Sequence, residues 1–372
     1  MTAPVRPIDA GSLIRESERK LGRVSSRAGS RPVCMVTKPS RALPLPTAVG
    51  EGDRLPILVD GAEVELVDFL RRCARSLGVG TVDESFAWVR DRFIAGGRRA
   101  LAVRPAGGLT HRGIRLHPDA DYGRCCASLA DLARSLIAQD LADEFFFMNK
   151  PPGLRVRFLP RKGAGERLDR AVDGGLADLA AEGLIGAPTH GMYEPESQLF
   201  GGPLSMDLVH SLFTVDSLIW LDIHAAGDCG DLPVWLVSFA VLREIFAALE
   251  ISGWEDIGVW AGVRDRGLRR VTGDARAAAG FSGVAEQIRK VWAGRDIIEH
   301  VLPDAPANIL RRYAPLLTAA ATSWRTGYFE SGEAATGPRA AMAMFVVFHW
   351  NRGLLSAWDQ GMIAESLADR TC

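Results

Sequence analysis

Residues 144–161, EFFFMNKPPGLRVRFLPR, restrict the folds open to this chain more than any other stretch. Two runs rich in aromatic and aliphatic residues flank Pro151-Pro152-Gly153, a break that a helix does not tolerate, so the segment reads as strand, turn, strand. In the second run Leu154, Val156 and Phe158 alternate with Arg155 and Arg157. A strand sends alternate side chains to opposite faces. The apolar three therefore face a core, and both guanidiniums lie on the other face, about 6.5 to 7 Å apart along the chain. A sheet with such a face needs helices to cover it.

Helical spacing supplies them. Leu129, Leu132, Leu136 and Ile137 share one face of residues 125–141, and Leu168, Val172, Leu176 and Leu179 share one face of the next helix. Gly201-Gly202 then turn the chain into a helix opened by Pro203, which Leu204, Leu208 and Leu212 carry to an expected end at Phe213-x-x-Asp216-Ser217. Further helices are predicted over 232–250, 305–325 and 337–358, the last with Pro338 near its start. Upstream, 55–77 reads as a short strand, an Asp60-Gly61 turn and a helix. Residues 83–97 read as a helix closed by Gly96 and Gly97, and 99–108 and 112–119 as strand fragments. Strands early and helices late predict an α+β fold, an antiparallel or mixed β-sheet core covered by helices. The chain divides by composition into a basic, partly flexible arm (1–57), an α/β extension (58–104) and a core (105–372).

Charge and cysteine usage narrow the classes of function. The formal net charge is −1, which gives no overall polyanion footprint and argues against a nucleic-acid partner. Residues 1–48 differ, with nine basic residues against three acidic ones, a local net of +6 suited to an acidic partner or to a solubilising tail. Cys34, Cys73, Cys125, Cys126, Cys229 and Cys372 are scattered without paired Cys/His spacing, so neither a structural metal nor a disulfide framework is expected. No export segment opens the chain, and the longest apolar run, 232–242, falls short of the ~18 residues that span a bilayer. A cytoplasmic protein without a membrane partner is the expectation.

The loop GMYEPESQLFGGP (191–203) packs a tyrosine, two glutamates around a proline and a glycine pair into one connection. On its own it reads as a solvated acidic turn. Set in order, however, L-R-V-R-F (154–158), Y-E-P-E-x-x-x-F-G-G (193–202), F-x-x-D-S (213–217) and H-x-N-R (349–352) resemble the C-terminal elimination domain of lantibiotic dehydratases and related thiopeptide biosynthesis proteins. The resemblance covers about 110–372 and implies an elimination-domain-like fold for the core. Three departures stand out. Gly153 replaces the usual histidine before Leu-Arg-x-Arg, Leu199 replaces the arginine before the aromatic-Gly-Gly triplet, and Val347 stands where a further histidine is common.

A chain that keeps the scaffold and loses these polar groups resembles the pyridine synthase branch. That likeness implies a formal four-plus-two aza-cycloaddition between two dehydroalanines of a thiazole-containing, leader-bearing precursor peptide, with loss of water and leader. Such chemistry needs a proton donor and acceptor and substrate positioning, with no cofactor and no metal. The implied catalytic set is Tyr193 with His190, Asp216, Ser217 and His349, and the implied substrate-binding set is Arg155, Arg157, Glu194, Glu196, Phe200 and Arg352. The implied partner is the modified precursor peptide, with other thiopeptide maturation enzymes beside it. Plainer readings stay open for the same residues. Tyr193 could cap a sheet edge, the two arginines could pair with Glu194 and Glu196, His349 and Arg352 could form an interior polar pair, and Asp216-Ser217 could cap a helix end. A stand-alone glutamyl eliminase and a non-catalytic peptide-binding module are the competing functions.

Overall fold

The computed structural model describes residues 56–59, 62–65 and 68 and, apart from 151–152, 228–233, 333 and several positions between 272 and 299, residues 108–369. The basic arm, the helix read over 83–97 and the strand fragment over 99–108 lie outside the described residues, except Gly108. By its internal contacts the chain separates into two units, Met1–Cys73 and Ala74–Cys372. In the first, β1 (Pro56–Val59) and β2 (Ala62–Glu65) pair antiparallel. Ala62, Glu63, Val64 and Glu65, within the part of 55–77 expected as helix, pair instead with β1 as a strand, and the rest of that part lies outside the described residues, except Asp68.

The second unit is built on a four-stranded antiparallel sheet of order β4-β5-β3-β6, with β3 Thr110–Ile114, β4 Ala142–Lys150, β5 Gly153–Pro160 and β6 Thr189–His190. The predicted hairpin is present, its register pairing Phe146 with Arg157 and Phe147 with Val156. On β3, His111 pairs with Arg157 and Arg112 with Val156. Paired residues share a face, so His111, Phe146, Arg155 and Arg157 point one way and Arg112, Phe147, Val156 and Phe158 the other. The second face meets helices α1 (Tyr122–Ala138) and α2 (Gly165–Ala181): Arg112 bonds Asp169 and Asp173 of α2. Asp121 starts α1 by accepting from the Arg124 N–H, and Cys125, Leu129, Ala133 and Leu136 form its buried stripe.

The chain then passes a short helical turn, α3 (Ser197–Phe200), and the glycine hinge into α4 (Pro203–Ala225). Gly201 has φ +95° and Gly202 +117°, and a Cβ on Gly201 would lie 2.1 Å from the Tyr328 hydroxyl. That hydroxyl donates to the Gly201 carbonyl at 2.8 Å, so only glycine fits the hinge. Helix α4 does not stop at Asp216-Ser217. Leu218, Ile219, Trp220, Leu221 and Ile223 carry it eight residues further, all buried. By length and composition α4 could cross a membrane, but 72% of its apolar window is buried inside the protein, as for a core helix.

Helices α5 (Val234–Ala248), α6 (Glu255–Asp265), α7 (Phe281–Ala293) and α8 (Asp304–Trp324) follow, α8 packing along α4. A π-helical turn, Arg325–Phe329, carries Tyr328. The run expected as one helix over 337–358 is two, α9 (Pro338–Arg352) and α10 (Ala357–Ala368). Leu354 takes φ +56° between them, and Ser356 restarts the helix by accepting from the Asp359 N–H.

Candidate active site

Strand β4 is an outer strand, and its free backbone groups would be an open edge if nothing met them. Helix α4 supplies acceptors: the Phe145 N–H donates to Thr214 Oγ1 at 3.1 Å and the Phe147 N–H to Ser217 Oγ at 3.2 Å. Helix α9 supplies a donor, Arg352 Nε, to the Phe147 carbonyl at 3.0 Å. Ser217 therefore seals the sheet edge from the middle of α4, which corrects its reading as a helix cap.

Beside it lies a chain of fully buried polar groups. Arg352 Nη1 donates to Asp216 Oδ2 at 2.8 Å, and the other oxygen, Oδ1, is 2.6 Å from His349 Nδ1. His349 Nε2 is 3.0 Å from Ser238 Oγ, which takes a hydrogen bond from Trp350 Nε1. Trp220 Nε1 also lies 3.1 Å from His349 Nδ1. An acceptor nitrogen 2.6 Å from a carboxylate oxygen would be repelled, so Nδ1 carries the proton and donates to Asp216. Ser238 then donates to Nε2, while the Trp220 N–H, itself only a donor, faces the protonated Nδ1, and Arg352 Nη2 has no hydrogen-bond partner among the described residues. Burial alone would raise the Asp216 carboxyl, yet His349 and Arg352 outweigh it and hold the pKa below its ordinary value. Asp216, Ser217, His349 and Arg352 lie together, away from Tyr193 and His190, and each is closed to solvent. Arg352 also stacks over the Phe213 ring at 4.1 Å, where its desolvated charge is favoured by the ring face. Phe200 completes this wall, edge-on to Phe213 and wholly buried.

A second cluster sits on the first face of the sheet. The Tyr193 hydroxyl is 3.0 Å from His210 Nε2, His210 stacks on Phe146 at 5.0 Å, and the Arg157 guanidinium lies over the Tyr193 ring at 4.6 Å. Burial pushes the Tyr193 phenol well up, with Glu196 adding to it against the pull of Arg157. Burial also drives His210 down to about 4, helped by Arg157 and Arg352. Both rings are thus neutral near pH 7, and a proton can be shared between them in either direction. Arg157 is lowered mainly by burial, and its charge faces an aromatic ring. Among the described residues neither Arg155 nor Arg157 forms an ion pair with Glu194 or Glu196. Tyr193 lies over the sheet face with its ring against Phe146 and Arg157.

His190 goes elsewhere. On β6 it pairs with Arg112, on the α2 face, and it is exposed there, three residues from Tyr193 in sequence but on the opposite side of the sheet. Glu194 is exposed and Glu196 half-buried. Leu199 is 42% exposed on α3, an apolar side chain at the surface beside the loop. Gly153 has a steric cause of its own, since a Cβ there would lie 2.1 Å from the Ile114 carbonyl oxygen and 3.0 Å from the Arg115 Cα. No side chain, histidine included, fits where β5 begins against β3.

Sequence reasoning passed over His210 and His111. His210 lies one helical turn before Phe213 on α4, and that spacing was the available signal, hidden by the leucine stripe of the same helix. His111 shares the Arg157 rung. It is buried, and burial together with Arg157 and Arg155 lowers it to about 4.

No group of three or more His, Cys, Asp or Glu residues that could hold a metal occurs among the described residues. Comparison with known proteins bears on the whole arrangement. The family described as "Lantibiotic biosynthesis dehydratase C-term" matches residues 116–370. Among solved structures the chain is similar to the tRNA-dependent lantibiotic dehydratase MibB from Microbispora sp. 107891, at 15% identity and a TM-score of 0.46, over 71% of this chain and 28% of that one. It is also similar to TsrL, at 16% identity and a TM-score of 0.43, over 70% of this chain and 93% of that one. The chain thus spans little more than a quarter of the MibB chain's length. No curated protein matches it.

Proposed function

Because the chain belongs to the lantibiotic biosynthesis dehydratase C-terminal family, whose members work in the maturation of ribosomally made peptides, we propose that it closes a ring on a dehydrated precursor peptide. The reaction is a formal four-plus-two aza-cycloaddition between two dehydroalanines of a leader-bearing, thiazole-containing substrate. The observation that carries this reading is the neutral Tyr193–His210 pair, 3.0 Å apart beside Arg157.

One dehydroalanine must first present its preceding amide as an iminol, giving a 2-azadiene. Tyr193 delivers its hydroxyl proton to the amide oxygen, and the amide N–H proton returns to the phenol through His210. The transfer is concerted, so no free phenolate forms, a species that burial disfavours. The azadiene then forms two C–C bonds with the alkene of the second dehydroalanine, one from its terminal CH2 and one from the iminol carbon, its nitrogen already lying within the six-membered ring. The same pair protonates the ring hydroxyl as water leaves, and departure of the leader amide completes the aromatic ring. Most of the acceleration comes from holding two ends of one peptide in reacting geometry, an effect worth on the order of 7 to 11 kcal/mol.

Leu199 supports this reading over glutamate elimination, because an exposed leucine cannot hold a carboxylate where related proteins carry arginine. A stand-alone glutamyl eliminase has one observation in its favour, the Arg155 and Arg157 cations on the same sheet face as Tyr193's partner Phe146. Mass spectrometry of the full chain with a dehydrated, leader-bearing peptide separates the possibilities. Loss of water together with release of the leader supports cyclisation. Glutamate release from a glutamylated peptide supports elimination, and binding without a change of mass supports a presenting module.

A further inference from the structure

Next to the Tyr193 cluster, one rung along the same sheet face, lies a cavity of about 310 Å³. Glycines, small and apolar residues and Thr189 form part of its lining, and Arg115, Lys150 and Arg155 supply its charged groups. No acidic residue lines it. Among the described residues none of the three cations has a carboxylate partner, although surface cations elsewhere in the chain, such as Arg124 with Glu182 and Arg264 with Asp369, do. Three positive groups converging without counter-charge repel one another, and a ligand anion is what relieves that. The positive potential is felt one rung away, where Arg155 helps suppress protonation of His111.

We propose that this cavity binds a peptide carboxylate through Arg115, Lys150 and Arg155, anchoring the substrate beside Tyr193. The proposal rests on the reading that the substrate is a peptide, and it adds two residues, Arg115 and Lys150, that no motif singled out. Arg155 is half-buried and its planar fork suits two-point contact with a carboxylate, whereas Arg115 and Lys150 are exposed and act as charges at the rim. Arg157 takes no part, because it is spent on the Tyr193 ring. The carboxylate comes either from an acidic side chain of the precursor or from a glutamyl group esterified to serine.

The test uses the full chain and three fluorescein-labelled synthetic peptides: one with four glutamates, its all-glutamine counterpart, and one carrying a single O-glutamyl serine. Anisotropy titrations are run at low and high salt. Arg115→Gln and Lys150→Gln, both at exposed positions, are each expected to weaken binding of a carboxylate peptide about tenfold, the size of one charge-assisted contact. Arg155→Lys, which keeps the charge but loses the two-point fork, is expected to weaken it by a similar factor, and Tyr193→Phe to leave the affinity unchanged. Preference for the glutamate peptide identifies a precursor side chain, and preference for the glutamyl serine identifies an adduct. Equal binding of the glutamate, glutamyl and glutamine peptides, or Arg115→Gln and Lys150→Gln variants that bind as the wild type does, overturns the proposal while leaving cyclisation, read by mass, untouched. Charge-dependent binding of these peptides, together with an unchanged mass for the dehydrated, leader-bearing peptide, overturns the cyclisation and leaves the site.

Discussion

Replacing Arg352 by methionine separates a structural from a catalytic role for the buried polar chain. The substitution keeps much of the side-chain length but removes the donors to Asp216 at 2.8 Å and to the Phe147 carbonyl at 3.0 Å. Asp216, closed to solvent, keeps only His349. Breaking one side of a buried ion pair costs about 3 to 5 kcal/mol, and an orphaned carbonyl at the sheet edge keeps the loss near the upper end of that range. At roughly 2 to 4 °C per kcal/mol for a domain near this size, Arg352→Met is expected to lower Tm by about 10 to 15 °C. The double variant Asp216→Leu/Arg352→Met removes both charges together and is expected to recover part of the loss, so that the two single effects do not add. Calorimetry on the two singles and the double measures the coupling. If Arg352→Met stayed within about 1 kcal/mol of the wild type while turnover vanished, the guanidinium would be acting on substrate and the edge-sealing account would be wrong.

Tyr193→Phe keeps the ring under Arg157 and loses only the hydroxyl; it is expected to cost about 1 kcal/mol of stability but about a hundredfold or more in turnover, read by mass against time. Stability is also expected to fall with acid. His111 and His210 are both held near 4 in the fold against an ordinary 6.5, so the unfolded chain binds more protons between those values. Their contribution is whole above pH 6.5 and is lost as the pH falls through 4. His210→Phe, which removes one titrating ring, is expected to show a shallower decline between pH 7 and 4.5 in urea titrations than the wild type, and an equal slope would contradict the shift. Gly153→His puts a Cβ against two backbone atoms that cannot swing aside and is expected to cost about 2 to 3 kcal/mol; a variant as stable as the wild type would show that β3 and β5 do not approach so closely.

The hairpin of β4 and β5 and the faces of α1 and α2 were legible because alternation and helical spacing are local signals. Asp216 and Ser217 were misplaced at a helix end for an equally local reason, since both types favour caps. Their actual partners, Arg352 and the Phe147 backbone, lie more than 60 residues away in sequence, and only the assembled sheet edge shows why polar groups belong mid-helix. An interior polar pair of His349 and Arg352 was among the readings of the sequence, but the meeting of that pair with Asp216 was not legible, because Asp216 and Ser217 were read as companions of Tyr193 and His190. His190 and Tyr193 looked like neighbours until the pairing with Arg112 set His190 on the other face, a consequence of strand register that sequence does not carry. His210 needed the same register, because only Phe146 on β4 reveals which side of α4 faces the loop. Gly153 looked like a lost catalytic histidine, and the approach of Ile114 gives it a packing cause instead. Leu199, exposed beside the loop, has no such packing cause and is the departure on which the proposed function draws.

The most direct measurement sets wild type and Leu199→Arg against an equal mixture of a glutamylated peptide and a dehydrated, leader-bearing peptide, with both followed by mass in one reaction. Wild-type protein is predicted to consume only the dehydrated peptide, releasing water and leader, and Leu199→Arg to lose that activity in part without harm to folding. Glutamate release by the wild-type protein, with the dehydrated peptide left intact, would contradict the cyclisation account.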